Sequence, residues 1–299
     1  MQQTTATPLD GIRYFTPPDG YVLTGRDGRV SLLWRSNVPV PLLTDDYPRA
    51  VAAGSPDYDM VGNGIYQALR LNPDCQYAAD FADVLREAYP HIISEIGGQA
   101  IMLEAKDVDS PYLDRKITCL RIMALLDRNK PELQREIARS YKEKGSRLDA
   151  LQSVVASWYG AEKSFKLLHD ALPDDALALY EYGEVLYVLG RYQQAAGLWS
   201  DALPQLKDDE RRAVSGWIAD ILAGRLPLVP PIDYLSAVAV ALEEREYGRH
   251  DEAAAILEDV LADAVFGEHF PLQELHYLLG SCYQELGLME QAAAAFKRS

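Results

Sequence analysis

Apolar and small residues recur at helical spacing along most of this chain. Residues 57–71 form one such segment, closing on Ala68-Leu69-Arg70-Leu71-Asn72-Pro73. Residues 76–88 place Ala78, Ala79, Ala82 and Leu85 on one stripe that continues to Tyr89. Residues 91–106 follow, with Gly97-Gly98 inside the pattern. Two glycines there predict a close helix contact or a break, since each costs a helix about 1 kcal/mol. Residues 112–126 put Leu113, Ile117, Leu120 and Ala124 on one face. Pro73, Pro90, Pro111 and Pro131 punctuate these segments, because proline fits a helix's first turn and breaks its interior. Residues 176–209 read as two short amphipathic helices joined at Gly190-Arg191-Tyr192. Residues 208–223, with Val214, Trp217, Ile218, Ile221 and Leu222, predict an extra helix. The run Leu226-Pro227-Leu228-Val229-Pro230-Pro231 then predicts an extended linker, acting as a hinge or a strap.

Residues 1–48 break this pattern and hold six of the 17 prolines. Tyr21-Val22-Leu23-Thr24 and Arg29-Val30-Ser31-Leu32-Leu33-Trp34 are β-prone runs. Gly25-Arg26-Asp27-Gly28 between them predicts a hairpin turn. A lone hairpin is marginal in water, so this arm docks on the helical body, pairs with another chain or stays loosely ordered; docking through Trp34 and the Leu32/Leu33 pair is the favoured reading.

A second periodicity overlies the first. A glycine is followed five residues later by an alanine at Gly145/Ala150, Gly190/Ala195, Gly248/Ala253 and Gly287/Ala292. Seven residues before each glycine stands a small residue: Ala138, Gly183, Ala241 and Gly280. Small residues at those points let two helices of a hairpin approach closely. In 176–209 the positions Leu179, Tyr182, Gly183, Leu186, Ala195 and Trp199 resemble the tetratricopeptide repeat pattern. The family's closing proline is absent, with Lys207 in its place and Pro204 three residues early. The resemblance spans 131–299, as repeats over 131–164, 176–209, 234–267 and 273–299, and is partial over 57–130. It implies an all-α fold: a right-handed superhelical solenoid of helix hairpins, carrying a short N-terminal β-hairpin arm. The domains expected are the arm at 1–48, irregular helical repeats at 49–130 and repeats at 131–299, with the extra helix at 208–223. No further helix follows the last repeat, so that end is a truncation, its own cap, or a joint to another chain.

Composition narrows the function. The chain has 299 residues, 48% hydrophobic and 25% charged, with a net charge of −16. That balance argues against general nucleic-acid binding, which rests on neutralising phosphates. No apolar run approaches membrane-spanning length, and MQQTTATPLDG lacks a signal-peptide pattern; the chain reads as cytoplasmic. Cys75, Cys119 and Cys282 lie far apart and read as buried reduced thiols.

Candidate chemistry is sparse. His91, His169, His250, His269 and His276 show no metal-ligand spacing, and His276 reads as a packing residue. Asp107, Asp109, Ser110 and Asp114 hint at a calcium loop but lack its central glycine and terminal glutamate. Gly62-Asn63-Gly64 is no dinucleotide fingerprint. No acid–base pair or nucleophile constellation emerges, so no catalytic role, cofactor or metal is expected.

Charge is uneven. Residues 115–147 carry ten basic residues against four acidic ones. Arg135, Arg139 and Lys142 are spaced to share one helix face. By the family resemblance that face is concave, and the matching stripe of the next repeat is Tyr180, Glu184 and Tyr187. Together they predict a groove with a cationic floor and an aromatic wall, suited to an acidic peptide or a carboxylate terminus. The plainer reading is a solvated face balanced by Glu132, Glu136 and Glu143. The function expected is a non-enzymatic scaffold holding a peptide or helix of a partner protein. The alternatives are a self-assembling structural protein and an accessory subunit acting on a separate enzyme.

Overall fold

Alternation in the N-terminal arm makes two antiparallel strand pairs rather than one. The computed structural model describes residues 8–25, 28–104, 110–269 and 273–299, and the chain divides into two compact units, 1–133 and 134–299. In the first unit β1 (Ile12–Phe15), β2 (Val22–Thr24), β3 (Ser31–Leu33) and β4 (Val40–Leu43) follow one another. Strand β2 pairs with β3, as the hairpin reading expects; the turn residues Arg26 and Asp27 lie outside the described residues. Strand β1 pairs with β4, from Ile12 opposite Leu43 to Phe15 opposite Val40, which the sequence reading did not foresee. Trp34 is buried and donates its indole N–H to the Val38 carbonyl at 2.7 Å. Of the expected pair, Leu32 is half-buried and Leu33 is 66% exposed, so Leu33 buries little of its side chain in docking. A period of two explains this: the face that buries Leu23 turns Val22 and Leu33 outward.

Helices α1 (Tyr47–Ala53), α2 (Tyr58–Leu71), α3 (Ala78–Ala88), α4 (Pro90–Glu104) and α5 (Ser110–Leu126) complete this unit. The Asp57 carboxylate caps α2 by accepting from Met60 N at 2.9 Å. Strand β4 lies along α2 where the chain has Gly64; a β-carbon there would sit 1.9 Å from the Pro41 carbonyl oxygen. Gly62 leaves room for the Tyr89 ring, which stacks on Tyr58 at 4.3 Å between centroids. The two glycines of Gly62-Asn63-Gly64 therefore serve packing. Helix α4 runs unbroken through Gly97-Gly98, and Met123 of α5 would lie 3.7 Å from a β-carbon on Gly97. Neither expectation is met: the helix does not break, Gly97 has only an ordinary contact, and Gly98 has nothing within 4 Å of an added β-carbon.

The second unit holds α6 (Glu132–Gly145), α7 (Val154–Ala171), α8 (Ala176–Val188), α9 (Tyr192–Ala202), α10 (Asp208–Leu222), α11 (Pro231–Glu246), α12 (His250–Ala262), α13 (Ala264–His269), α14 (Gln273–Glu285) and α15 (Met289–Phe296). Three antiparallel hairpins, α8/α9, α11/α12 and α14/α15, turn on Gly190, Gly248 and Gly287, with φ of 75°, 76° and 76°. The next residue donates back in each case: Arg191 N to Leu186 O at 2.8 Å, Arg249 N to Glu244 O at 2.9 Å, and Leu288 N to Tyr283 O at 2.9 Å. This left-handed cap satisfies carbonyls that a helix end would strand, and only glycine adopts it without strain. Gly183 faces the Trp199 ring and Gly280 the Phe296 ring, so at these two positions the recurring small residue does what its spacing suggested. The unit is an all-α solenoid of helix hairpins around one core that includes Phe165, Val185, Trp199, Val238, Leu257 and Cys282.

The first expected repeat departs from the rest. Gly145 is not among the left-handed glycines, and Ala150 falls in a 3-10 helix, Leu148–Ser153. Helix α7 therefore starts late and runs to Ala171, past residue 164 where the first repeat was expected to end. Trp158 sets this register by donating to the Gly145 carbonyl at 3.1 Å, while Tyr141 packs against Gly160.

The extra helix forms as expected and packs on α9. The linker after it is a strap. Pro230 lies over the Gly190 turn, where a β-carbon would come within 2.8 Å of its ring. Asp263, buried at the junction of α12 and α13, accepts from Leu228 N at 2.7 Å. Helix α11 then packs against α7, α8 and the 3-10 helix at 148–153. Among the described residues no helix is long and apolar enough to cross a membrane.

Candidate functional site

Helices α6 and α8 lie side by side through charged residues at matching heights. Arg135, Arg139 and Lys142 do share one face of α6, as their spacing requires. Each meets a carboxylate from α8 or its cap. Arg135 pairs with Asp175, the residue that caps α8 by accepting from Ala178 N at 3.0 Å. Arg139 bonds Glu181 at 2.8 Å and Glu136 at 3.1 Å. Lys142 pairs with Glu184. The stripe is thus a ladder of ion pairs and not the cationic floor that the sequence suggested. Its counter-charges come mainly from the neighbouring helix, which local i,i+4 counting on α6 could not show.

The tyrosines split. Tyr180 is half-buried, and burial together with the Glu184 carboxylate holds its phenol above the ordinary range. Tyr187 is buried and belongs to an aromatic cluster, 5.1 Å from Tyr192 and 5.9 Å from Trp199 between centroids. Burial likewise raises its phenol pKa.

Beside the ladder a cleft of about 170 Å³ opens between α6, α7, α8, α9 and α10. Its walls are Trp158, Trp199, Trp217, Tyr187 and Val188. Its rim is Lys142, Glu184 and Ser146. Trp199 and Trp217 sit 5.1 Å apart between centroids. Trp199 donates its indole N–H to the Tyr180 carbonyl at 3.0 Å, as Trp158 does to Gly145. The sequence reading found Lys142, Glu184 and Tyr187 but missed the indoles. A signal was present: three of the chain's four tryptophans fall in the short stretch from Trp158 to Trp217.

Among the described residues no three His, Cys, Asp or Glu side chains gather as a metal site. Asp107 and Asp109 of the calcium-loop reading, and the side chain of His269, lie outside the described residues. Burial, with Arg298 nearby, lowers the His276 pKa, consistent with packing. Burial raises the thiols of Cys75, Cys119 and Cys282.

No protein-family model matches the chain, and no curated protein sequence matches it. Solved structures that resemble it include two of MamA. A crystal structure of MamA protein is 16% identical, with a TM-score of 0.29, over 70% of this chain and 88% of that one. A second crystal structure of MamA is 16% identical, with a TM-score of 0.27, over 63% and 86%. At such scores the likeness carries nothing about partners or activity.

Proposed function

We propose that this chain is a non-enzymatic interaction scaffold of tetratricopeptide type that holds a segment of a partner protein along the shared face of α6 and α8. The observation that carries this reading is the indole-walled cleft beside the ion-pair ladder of Arg135, Arg139 and Lys142. Trp158 and Trp199 form the buried floor of this cleft, and Trp217 stands half-buried at its side. Helical repeat proteins present such faces to extended or helical segments. Tyr180, Glu184 and Tyr187 line the α8 side of the face. Because the ladder is already neutralised, an acidic partner would have to displace carboxylates, and an uncharged one would not.

The test is capture of partners from native lysate by the immobilised chain, read by mass spectrometry, against an Arg139→Gln/Lys142→Gln variant. Loss of specific partners with an unchanged circular dichroism spectrum supports the reading. The same partners at the same yield overturn this face as the docking site.

One observation favours self-association as a second reading. Tyr277, Leu288 and Met289, on the last hairpin, are exposed apolar residues. Light scattering over a concentration series decides it: a constant monomer mass removes that reading.

A further inference from the structure

We infer that the cleft walled by Trp158, Trp199 and Trp217 is an anchor pocket for one bulky, uncharged apolar side chain, of the leucine or phenylalanine kind, presented by the partner's segment. The inference rests on the scaffold reading and names the chemistry of its occupant.

Size selects a single side chain. The cleft holds about 170 Å³. Small-molecule sites run from about 300 to 1,000 Å³, and a cavity of about 150 Å³ accommodates one benzene ring. The space is too small for a cofactor and right for one ring or one branched aliphatic group.

Polarity selects an apolar one. The indole N–H groups of Trp158 and Trp199 are spent on the carbonyls of Gly145 and Tyr180. The Ser146 hydroxyl donates to the Lys142 carbonyl at 2.9 Å. Lys142 and Glu184 at the rim neutralise each other. What remains toward the cleft is mostly apolar: the half-buried Trp217 ring beside a buried floor of Trp158, Trp199, Tyr187 and Val188. A charged tip entering here would lose water and gain no opposite charge, a cost that an apolar group avoids. Interface energy concentrates where one large side chain fills such a pocket, and a polar rim around it excludes water. Indole faces also attract cations, but the Lys142 ammonium already stands at the mouth.

The experiment is selection of a random peptide display library on the full chain, followed by affinity measurements on the enriched peptides. Two variants accompany it. Ser146→Trp fills the cleft from an exposed position, and Trp217→Ala removes a half-buried wall. The expected result is a shared Leu, Phe, Ile, Met or Trp position with uncharged neighbours. Replacing that residue by alanine weakens binding about tenfold or more, and both protein variants weaken it similarly while their helical spectra are unchanged. Enrichment of Lys or Arg at the shared position overturns the inference in favour of a cation cage. Enrichment of Asp or Glu overturns it in favour of an opened ladder. Peptides that bind Ser146→Trp as well as the parent leave the scaffold standing and remove the anchor pocket. If no peptide is enriched, scaffold and anchor fall together.

Discussion

The hydroxyl of Tyr234, in the first turn of α11, donates to Oδ2 of Asp263 at 2.7 Å, where α12 gives way to α13. The same oxygen accepts from Leu228 N at 2.7 Å, and Oδ1 accepts from Val265 N at 2.9 Å and Phe266 N at 3.1 Å. One buried carboxylate therefore fixes the strap, the start of α11 and the start of α13. Burial alone would raise its pKa; the hydrogen bonds, that from Tyr234 foremost, more than offset this and hold it below the usual aspartate value.

Asp263→Ala strands four donors and is expected to lower unfolding stability by about 3 kcal/mol, with Tyr234→Phe costing about 1 kcal/mol. The folded-state pKa is depressed, so the carboxylate's contribution is complete above the unfolded value of about 4 and fades as pH falls through the folded value. Urea unfolding at pH 7 and pH 3 checks both points: the gap between parent and Asp263→Ala is widest at pH 7 and narrows at pH 3.

The hairpins of the second unit were legible because their signals are local. A left-handed turn must have its glycine, and Gly183 must be small beneath Trp199. Gly145 carried the same spacing and misled, because the indole of Trp158, thirteen residues on in sequence, claims its carbonyl and pulls α7 into a different register. The β1/β4 pair was invisible for a related reason: Ile12 and Leu43 meet only once the chain has folded back. The basic stripe was read correctly as a face, and of its two readings the charge-balanced one lies nearer, though with most of the balancing carboxylates elsewhere than expected. Its neutralising carboxylates, Asp175, Glu181 and Glu184, sit on another helix, and no period along α6 reports them. The strap was open between two readings until Asp263 was seen to bind it.

Glycine-to-alanine changes in the second unit are expected to split by what the new methyl meets. At Gly183 the methyl would stand 2.3 Å from the Trp199 indole nitrogen, which is fixed by the Tyr180 carbonyl. Overpacking outweighs the helix-propensity gain, for a net loss of about 2 kcal/mol. Gly197 and Gly216, on α9 and α10, have nothing within 4 Å of an added β-carbon. Alanine at either position is expected to add about 0.5–1 kcal/mol. Thermal unfolding of the three variants gives the signs directly.

The Lys142–Glu184 pair is partly exposed, its side chains retaining 32% and 23% of their accessibility. A double-mutant cycle with Lys142→Ala and Glu184→Ala should return a coupling of about 0.5–1 kcal/mol. It should shrink with added salt. The exchanged pair, Lys142→Glu with Glu184→Lys, keeps the ladder and stays within about 0.5 kcal/mol of the parent. Denaturant midpoints at two salt concentrations test the set. A coupling near zero would mean that the ladder sets the surface charge pattern of this face and not its stability.

Gly64 separates an arm that docks from one that merely lies nearby. A β-carbon there would meet the Pro41 carbonyl oxygen at 1.9 Å and Leu42 Cα at 3.0 Å, both backbone atoms of β4 that no rotamer change can move. Leu42 and Val40 are fully buried in this contact, Tyr21 donates its hydroxyl to the Pro56 carbonyl at 2.9 Å, and Arg35 bonds to Asp80 on α3. Gly64→Ala must therefore push β4 off α2, and β1 with it, since the two strands share one ladder. The expected cost is about 3 kcal/mol, with limited proteolysis cutting early within residues 8–43 while α2 to α5 survive longer. Gly98→Ala, on α4 with nothing within 4 Å, serves as the control and should leave the cleavage pattern unchanged. If Gly64→Ala is cut no faster than the parent, the strands hold their place without the contact on α2, and the arm is a self-supporting sheet.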